Sequence, residues 1–197
     1  MNVFNEENSV ELFIRDRLSG GITHHTAVGP GLARHNGQVS GLGWHFLAPQ
    51  NLPRQLHEVL IEDHVREALI RLNPEIEADP QRADDVLYKL RAIIMGVRAD
   101  GLVKANEEFA AWLTRERSMP FGPSGEHVTV RVIDFDDPEN NQYVVTTQYT
   151  VKPGAAHKRA DLVLLVNGIP LVVIEAKTPV RPSESWLDGA IKIHDAY

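Results

Sequence analysis

The chain has 197 residues, 43% hydrophobic and 24% charged, with 27 Asp and Glu against 20 Lys and Arg, a formal net charge of −7 and no cysteine. Without thiols it holds no disulfide, Fe–S cluster or thiolate zinc site, which suits a reducing compartment. The acidic balance argues against a general nucleic-acid coat protein, and no apolar run approaches the roughly 20 residues of a membrane span. The composition is that of a globular protein of one domain with room for a helical extension. The N-terminus lacks a signal-peptide pattern, so a cytoplasmic protein with no membrane association is expected.

Val10, Phe13, Ile14 and Leu18 recur at helical spacing before Gly20-Gly21, predicting a first helix over about residues 6–19. From Gly20 to about Pro53 the chain is rich in glycine and histidine and reads mostly as loop. Leu56, Val59, Leu60, Val65, Leu69 and Ile70 form a second helical stripe, stopped by Asn73-Pro74. A third runs from Val86 through Leu90 and Ile94 to Val97, and Phe109, Trp112 and Leu113 suggest a fourth. The helical region thus covers about 54–118. The period then changes: Val128, Val130 and Val132 alternate with Thr129, Arg131 and Ile133, and Tyr143–Val151 is rich in β-branched and aromatic residues. Ala160–Val166 and Pro170–Ala176 are apolar strands separated by Asn167-Gly168, a hairpin signal. After Pro182-Ser183 a last helix carries Trp186, Leu187, Ala190, Ile191 and His194 on one side. The order predicts a mixed α/β fold with a largely antiparallel central sheet, a helical insertion before it and the main strands over about 128–177.

The chemistry concentrates between Asp161 and Lys177. Asp161 lies near the start of one strand, and Glu175 and Lys177 near the end of the next, where alternation puts Glu175 and Lys177 on one face. A strict two-residue turn would pair Val166 with Ile169 and send Glu175 to the face opposite Asp161. A loop with an odd number of residues would bring the two acids together, and Asn-Gly is compatible with both. The functional reading therefore expects the odd loop. Two converging carboxylates would bind Mg²⁺, with the Ala176 carbonyl as a third oxygen. Such a metal polarises a scissile phosphate and acidifies the attacking water, and Lys177 would orient that water or stabilise the developing charge. The plainer reading is an exposed ion pair at a sheet edge. Against it, both acids interrupt strongly apolar strands, where a charge is costly without a partner. Lys152, Lys158, Arg159, Lys177 and Arg181 flank the two acids in sequence, which suits a site that meets phosphate, although charge alone favours a solvated strand end.

The run from Arg159-Ala160-Asp161 through Val166-Asn167-Gly168-Ile169-Pro170-Leu171-Val172-Val173-Ile174-Glu175-Ala176-Lys177 resembles the nuclease motif of type I restriction subunits, members of the PD-(D/E)XK superfamily. Weaker similarity extends through Val132-Ile133-Asp134-Phe135, Asn140-Asn141-Gln142-Tyr143 and Thr147-Gln148-Tyr149, and to Asn73-Pro74. The resemblance implies a restriction-endonuclease-like mixed sheet and an N-terminal endonuclease domain over residues 1–197, with the helicase-like domains, and the ATP they use, lying outside the chain. It implies Asp161 and Glu175 as metal ligands, Lys177 as catalytic lysine, Mg²⁺ as cofactor and double-stranded DNA as substrate. Methyltransferase and specificity subunits would be the partners. An additional acid on the first helix would be Glu11, with Glu7 the alternative. In a Gln-x-x-x-Tyr motif after the lysine, Tyr197 fits the tyrosine but Ile193 stands at the glutamine. A non-catalytic DNA-binding or docking domain with the same fold is the second reading.

Other features carry less. The nine histidines form no His-Glu-x-x-His motif, and no phosphate-cradling Gly-x-x-x-x-Gly-Lys-Ser/Thr occurs. Asp134, Asp136 and Asp137 before Pro138 read as a strand-ending turn. Tyr143, Tyr149, Trp112 and Trp186 are expected to pack the core.

Overall fold

In the computed structural model, the described residues are 10–20, 34–35, 38–39, 41–152, 157–177 and 185–196. Their elements in chain order are α1 (Leu12–Ser19), β1 (Arg34–His35), β2 (Gln38–Val39), β3 (His45–Phe46), α2 (Glu62–Leu72), α3 (Pro74–Glu77), α4 (Arg82–Asp100), α5 (Leu102–Leu113), β4 (Ser118–Met119), β5 (Val128–Thr129), β6 (Tyr143–Val151), β7 (Lys158–Val166), β8 (Ile169–Ile174) and α6 (Trp186–Ala196). The chain divides into two compact units, Met1–Val59 with Tyr143–Tyr197, and Leu60–Gln142. No helix among the described residues is long and apolar enough to cross a membrane.

The first unit holds a four-stranded sheet in the order β3-β6-β7-β8. β6, β7 and β8 are antiparallel neighbours, and β3 lies parallel to β6 with His45 opposite Val144. β3 falls in the stretch expected to be loop, because two residues are too few to show a period. Leu42 and Trp44 both donate backbone hydrogen bonds to Leu18 O, at 2.8 and 3.2 Å, so this stretch closes the C-terminus of α1. Gly20 caps α1 in the left-handed conformation (φ 74°). A Cβ on Gly41 would lie 2.5 Å from the Gly20 nitrogen, so only glycine fits there. α1 packs on β3 and β6, with the Arg15 guanidinium 4.9 Å from the centre of the Phe46 ring. At the far end of β6 the Arg54 guanidinium lies 3.8 Å from the centre of the Tyr149 ring and donates to Glu58 O and Thr150 O, each at 2.6 Å. The Tyr149 hydroxyl donates to Val59 O at 2.7 Å, and burial raises its pKa to about 12.

The second unit is mainly helical. Val65, Leu69, Ile76, Ala83, Val86 and Leu90 are fully enclosed core side chains on α2, α3 and α4. α2 begins at Glu62, later than its apolar stripe suggests, and the preceding residues 52–58 form turns. Asn73, 4% exposed, ends α2 and ties it to the segment after β5. Its Nδ2 donates to Leu69 O and Arg131 O at 2.8 Å, and its Oδ1 accepts the Arg131 amide at 2.7 Å. The strand expected at 128–133 is reduced to Val128–Thr129, paired with β4 in a separate two-stranded ladder. Val130 and Val132 are buried without continuing it, so their alternation reports burial and not a sheet position. Asp134 closes the expected turn: its Oδ1 accepts the amides of Asp136 and Asp137 at 3.1 Å, and its Oδ2 accepts Asn140 Nδ2 at 3.1 Å.

Candidate active site at the ends of the last two strands

The β7–β8 hairpin sets the geometry. Val166 pairs with Ile169 across Asn167 and Gly168, whose φ values of 51° and 81° are those of a primed two-residue turn. The expected odd-numbered loop is therefore corrected. The extra residue lies in the strand instead. Leu165 pairs with Pro170 but Leu164 pairs with Val172, so Leu171 is bulged out of the ladder. Pro170 has no N–H to give, and β8 is an edge strand, where a bulge disturbs least. Beyond the bulge Leu162 pairs with Ile174, which brings Asp161 level with Glu175. Opposed residues of antiparallel strands share a face.

Asp161 is 9% exposed, and its Oδ2 accepts the amide of Ala176 at 2.8 Å. It is thus the amide of Ala176 that meets Asp161. The Glu175 side chain is fully enclosed, and Lys192 Nζ, arriving from α6, donates to its Oε2. The hydrogen bond to Glu175 holds the Lys192 pKa above the usual range, and the charge of Asp161 acts in the same direction. One ammonium therefore lies in the field of both acids.

Lys177 runs along α6: a Cβ on Gly189 would come within 3.4 Å of its Cγ. Gly189 is buried, and the lysine stem passes it at ordinary contact distance. α6 starts on a cap in which Asp188 Oδ2 accepts the Ser185 amide at 2.6 Å and the Ser185 hydroxyl at 3.0 Å. Those bonds lower the Asp188 pKa, and the charge of Lys177 lowers it further.

Glu11, 4% exposed, immediately precedes α1 and accepts a 2.7 Å hydrogen bond from Gln148 Nε2. Thr147 pairs with Leu162 and Tyr149 with Ala160, so Gln148 stands level with Asp161 on the neighbouring strand. Gln148 has φ 50°, a left-handed residue inside a strand, and its own rung of the ladder is missing. Gln148, Asp161 and Glu175 thus make one row across β6, β7 and the end of β8, with Glu11 attached to its first member.

Among the described residues no group of three or more His, Asp or Glu gathers closely enough to hold a metal, so Glu11 does not complete a three-acid cluster with Asp161 and Glu175. A pair of carboxylates still fits Mg²⁺, which takes one or two protein carboxylates and fills its octahedron with water and phosphate. A cationic group already lying on Glu175 is consistent with that donor set. Glu7 and Tyr197 lie outside the described residues.

Sequence reasoning missed Lys192 and Gln148. Trp186, Leu187 and Ile191 were expected to form the packing side of α6, but they are 80%, 51% and 49% exposed, and Trp186 is not a core residue. The inward signal was the spacing of Gly189 and Lys192, one helical turn apart. Ile193, at the glutamine position, is 37% exposed, and its neighbour reaches the acids in its stead.

A mixed α/β unit whose last hairpin carries an Asp and a Glu-x-Lys, flanked by helices, is consistent with the restriction-endonuclease-like fold. Residues 36–197 match the family described as the type I restriction enzyme R protein N terminus, and the chain belongs to that family. It is 30% identical over 167 residues to the "Type I restriction enzyme HindI endonuclease subunit" of Haemophilus influenzae, covering 77% of this chain and 15% of that one. It is 24% identical over 151 residues to the "Putative type I restriction enzyme MjaIXP endonuclease subunit" of Methanocaldococcus jannaschii, covering 72% of this chain and 14% of that one. The chain thus matches about a seventh of the length of these relatives. No solved structure gives a significant match.

Proposed function

We propose that the chain is the metal-dependent DNA-cleaving domain of a type I restriction endonuclease subunit, acting in the cytoplasm on double-stranded DNA without sequence preference of its own. The observation that carries this reading is the bulge at Leu171, which brings Asp161 level with Glu175 on one side of the hairpin. Asp161 and Glu175 would hold Mg²⁺, with the Ala176 carbonyl as a further oxygen. The cation would supply Lewis acidity at the scissile phosphate and acidify the attacking water. Lys177 would orient that water or neutralise charge building on the phosphate oxygens. The amide of Ala176 fixes the Asp161 carboxylate, and the Lys177 stem lies against Gly189 of α6. Glu11, held by Gln148, would be an auxiliary acid beside this pair.

In the whole subunit, cleavage would be coupled to ATP-driven translocation by helicase-like domains. Methyltransferase and specificity subunits would choose the DNA. The test is to assemble the full-length subunit with these partners and change Asp161, Glu175 or Lys177 to Ala. Cleavage should fall by about a hundredfold or more, the scale of losing one charge-stabilising group, while ATP hydrolysis persists. Cleavage unchanged in all three variants would eliminate the reading and favour a non-catalytic DNA-binding or docking domain.

A further inference from the structure

Lys192 forms no part of the Asp-Glu-x-Lys pattern, yet it reaches Glu175 from outside the hairpin. An ordinary half-exposed ion pair contributes little. This pair is asymmetric: the lysine side chain is 45% exposed and the glutamate is fully enclosed. An enclosed carboxylate requires a positive partner, and Asp161 adds a second negative charge close by. A divalent cation on Glu175 and Asp161 would repel the ammonium and need the same face of Glu175, so the two partners exclude one another. The half-exposed lysine has solvent to move into; the glutamate does not.

We propose that the Lys192 ammonium and the divalent cation are alternative partners of Glu175, so that metal entry displaces Lys192 from the acid pair. This inference rests on the metal reading given above. Its first test is to treat the chain with an amine-acylating reagent, with and without saturating Mn²⁺, and to quantify acylation at Lys192 by mass spectrometry. Acylation should rise several-fold with Mn²⁺ and should not rise in Glu175→Gln; unchanged acylation of the native chain overturns the proposal. The second test is calorimetry with Mn²⁺. Lys192→Met should bind about tenfold more tightly than the native chain, and Lys192→Arg close to it. If Asp161→Asn abolishes binding but Lys192→Met leaves it unchanged or weaker, the displacement fails and the metal site stands. If neither the native chain nor a folded Lys192→Met binds Mn²⁺, both fail. Should Lys192→Met not fold, the acylation result on the native chain decides.

Discussion

Gln148 combines two unusual features, a left-handed backbone inside a strand and a hydrogen bond to a buried glutamate. Hydrogen bonds to charged groups are worth about 1.5–3 kcal/mol, and a non-glycine residue at positive φ costs about 1 kcal/mol relative to glycine. Gln148→Ala and Gln148→Gly should therefore both destabilise the chain in urea titrations, with Ala about 1 kcal/mol worse than Gly; equal losses would mean the backbone conformation carries no strain. Tyr149 gives a pH signature. Its folded pKa, raised by burial to about 12, exceeds the ordinary 10, so its contribution is whole below pH 10 and is lost as pH rises toward 12. Two pKa units correspond to about 2.7 kcal/mol. Tyr149→Phe should remove that part of the alkaline loss in unfolding curves between pH 9 and about 12. Single residues were only partly legible in the sequence. Asp161 and Glu175 stood out because each breaks an apolar run, whereas Lys192 looked like any solvent-facing lysine.

At the scale of elements, the hairpin shows how one residue decides which side a strand presents. The Asn-Gly turn was legible, but the bulge was not, since nothing in Ile-Pro-Leu-Val separates a bulged leucine from a paired one. Only Pro170 hinted at an irregular edge. Deleting Val173, beyond the bulge, should slip the end of β8 by one residue and turn Glu175 to the face opposite Asp161. The variant should keep the β-sheet signal in far-ultraviolet circular dichroism and lose Mn²⁺ binding in calorimetry; binding at native strength would show that the register of this hairpin does not place the site. The exact agreement of Tyr143–Val151 with β6 and the loss of most of Val128–Ile133 have one physical explanation. Alternation reports which residues are buried, and strands form only where a neighbouring strand is available to pair. For α6 the apolar stripe pointed the wrong way, because the contact of Gly189 with Lys177 and the Lys192–Glu175 bond mark its inward side.

Across the whole molecule, the division into two units was legible only as a switch from helical to strand periods. That switch could not show that the 128–133 segment stays with the helices. Asn73 explains why it does: three hydrogen bonds from one buried amide join the end of α2 to Leu69 and Arg131. Asn73→Ala should lower stability by about 2–4 kcal/mol, since it leaves buried backbone groups unsatisfied, as read from tryptophan fluorescence during urea unfolding; a loss under about 0.5 kcal/mol would mean these bonds are replaced by water. The net charge of −7 also finds its place at this scale, because the acidic residues spread along the chain while Lys152, Lys158, Arg159, Lys177 and Arg181 cluster in sequence about Asp161 and Glu175. The most direct measurement is anomalous diffraction from crystals of the chain grown with Mn²⁺. One strong peak within coordination distance of both the Asp161 and Glu175 carboxylates is expected, with Lys192 moved off Glu175. Full occupancy of a site elsewhere, with the two carboxylates untouched by metal, would contradict it.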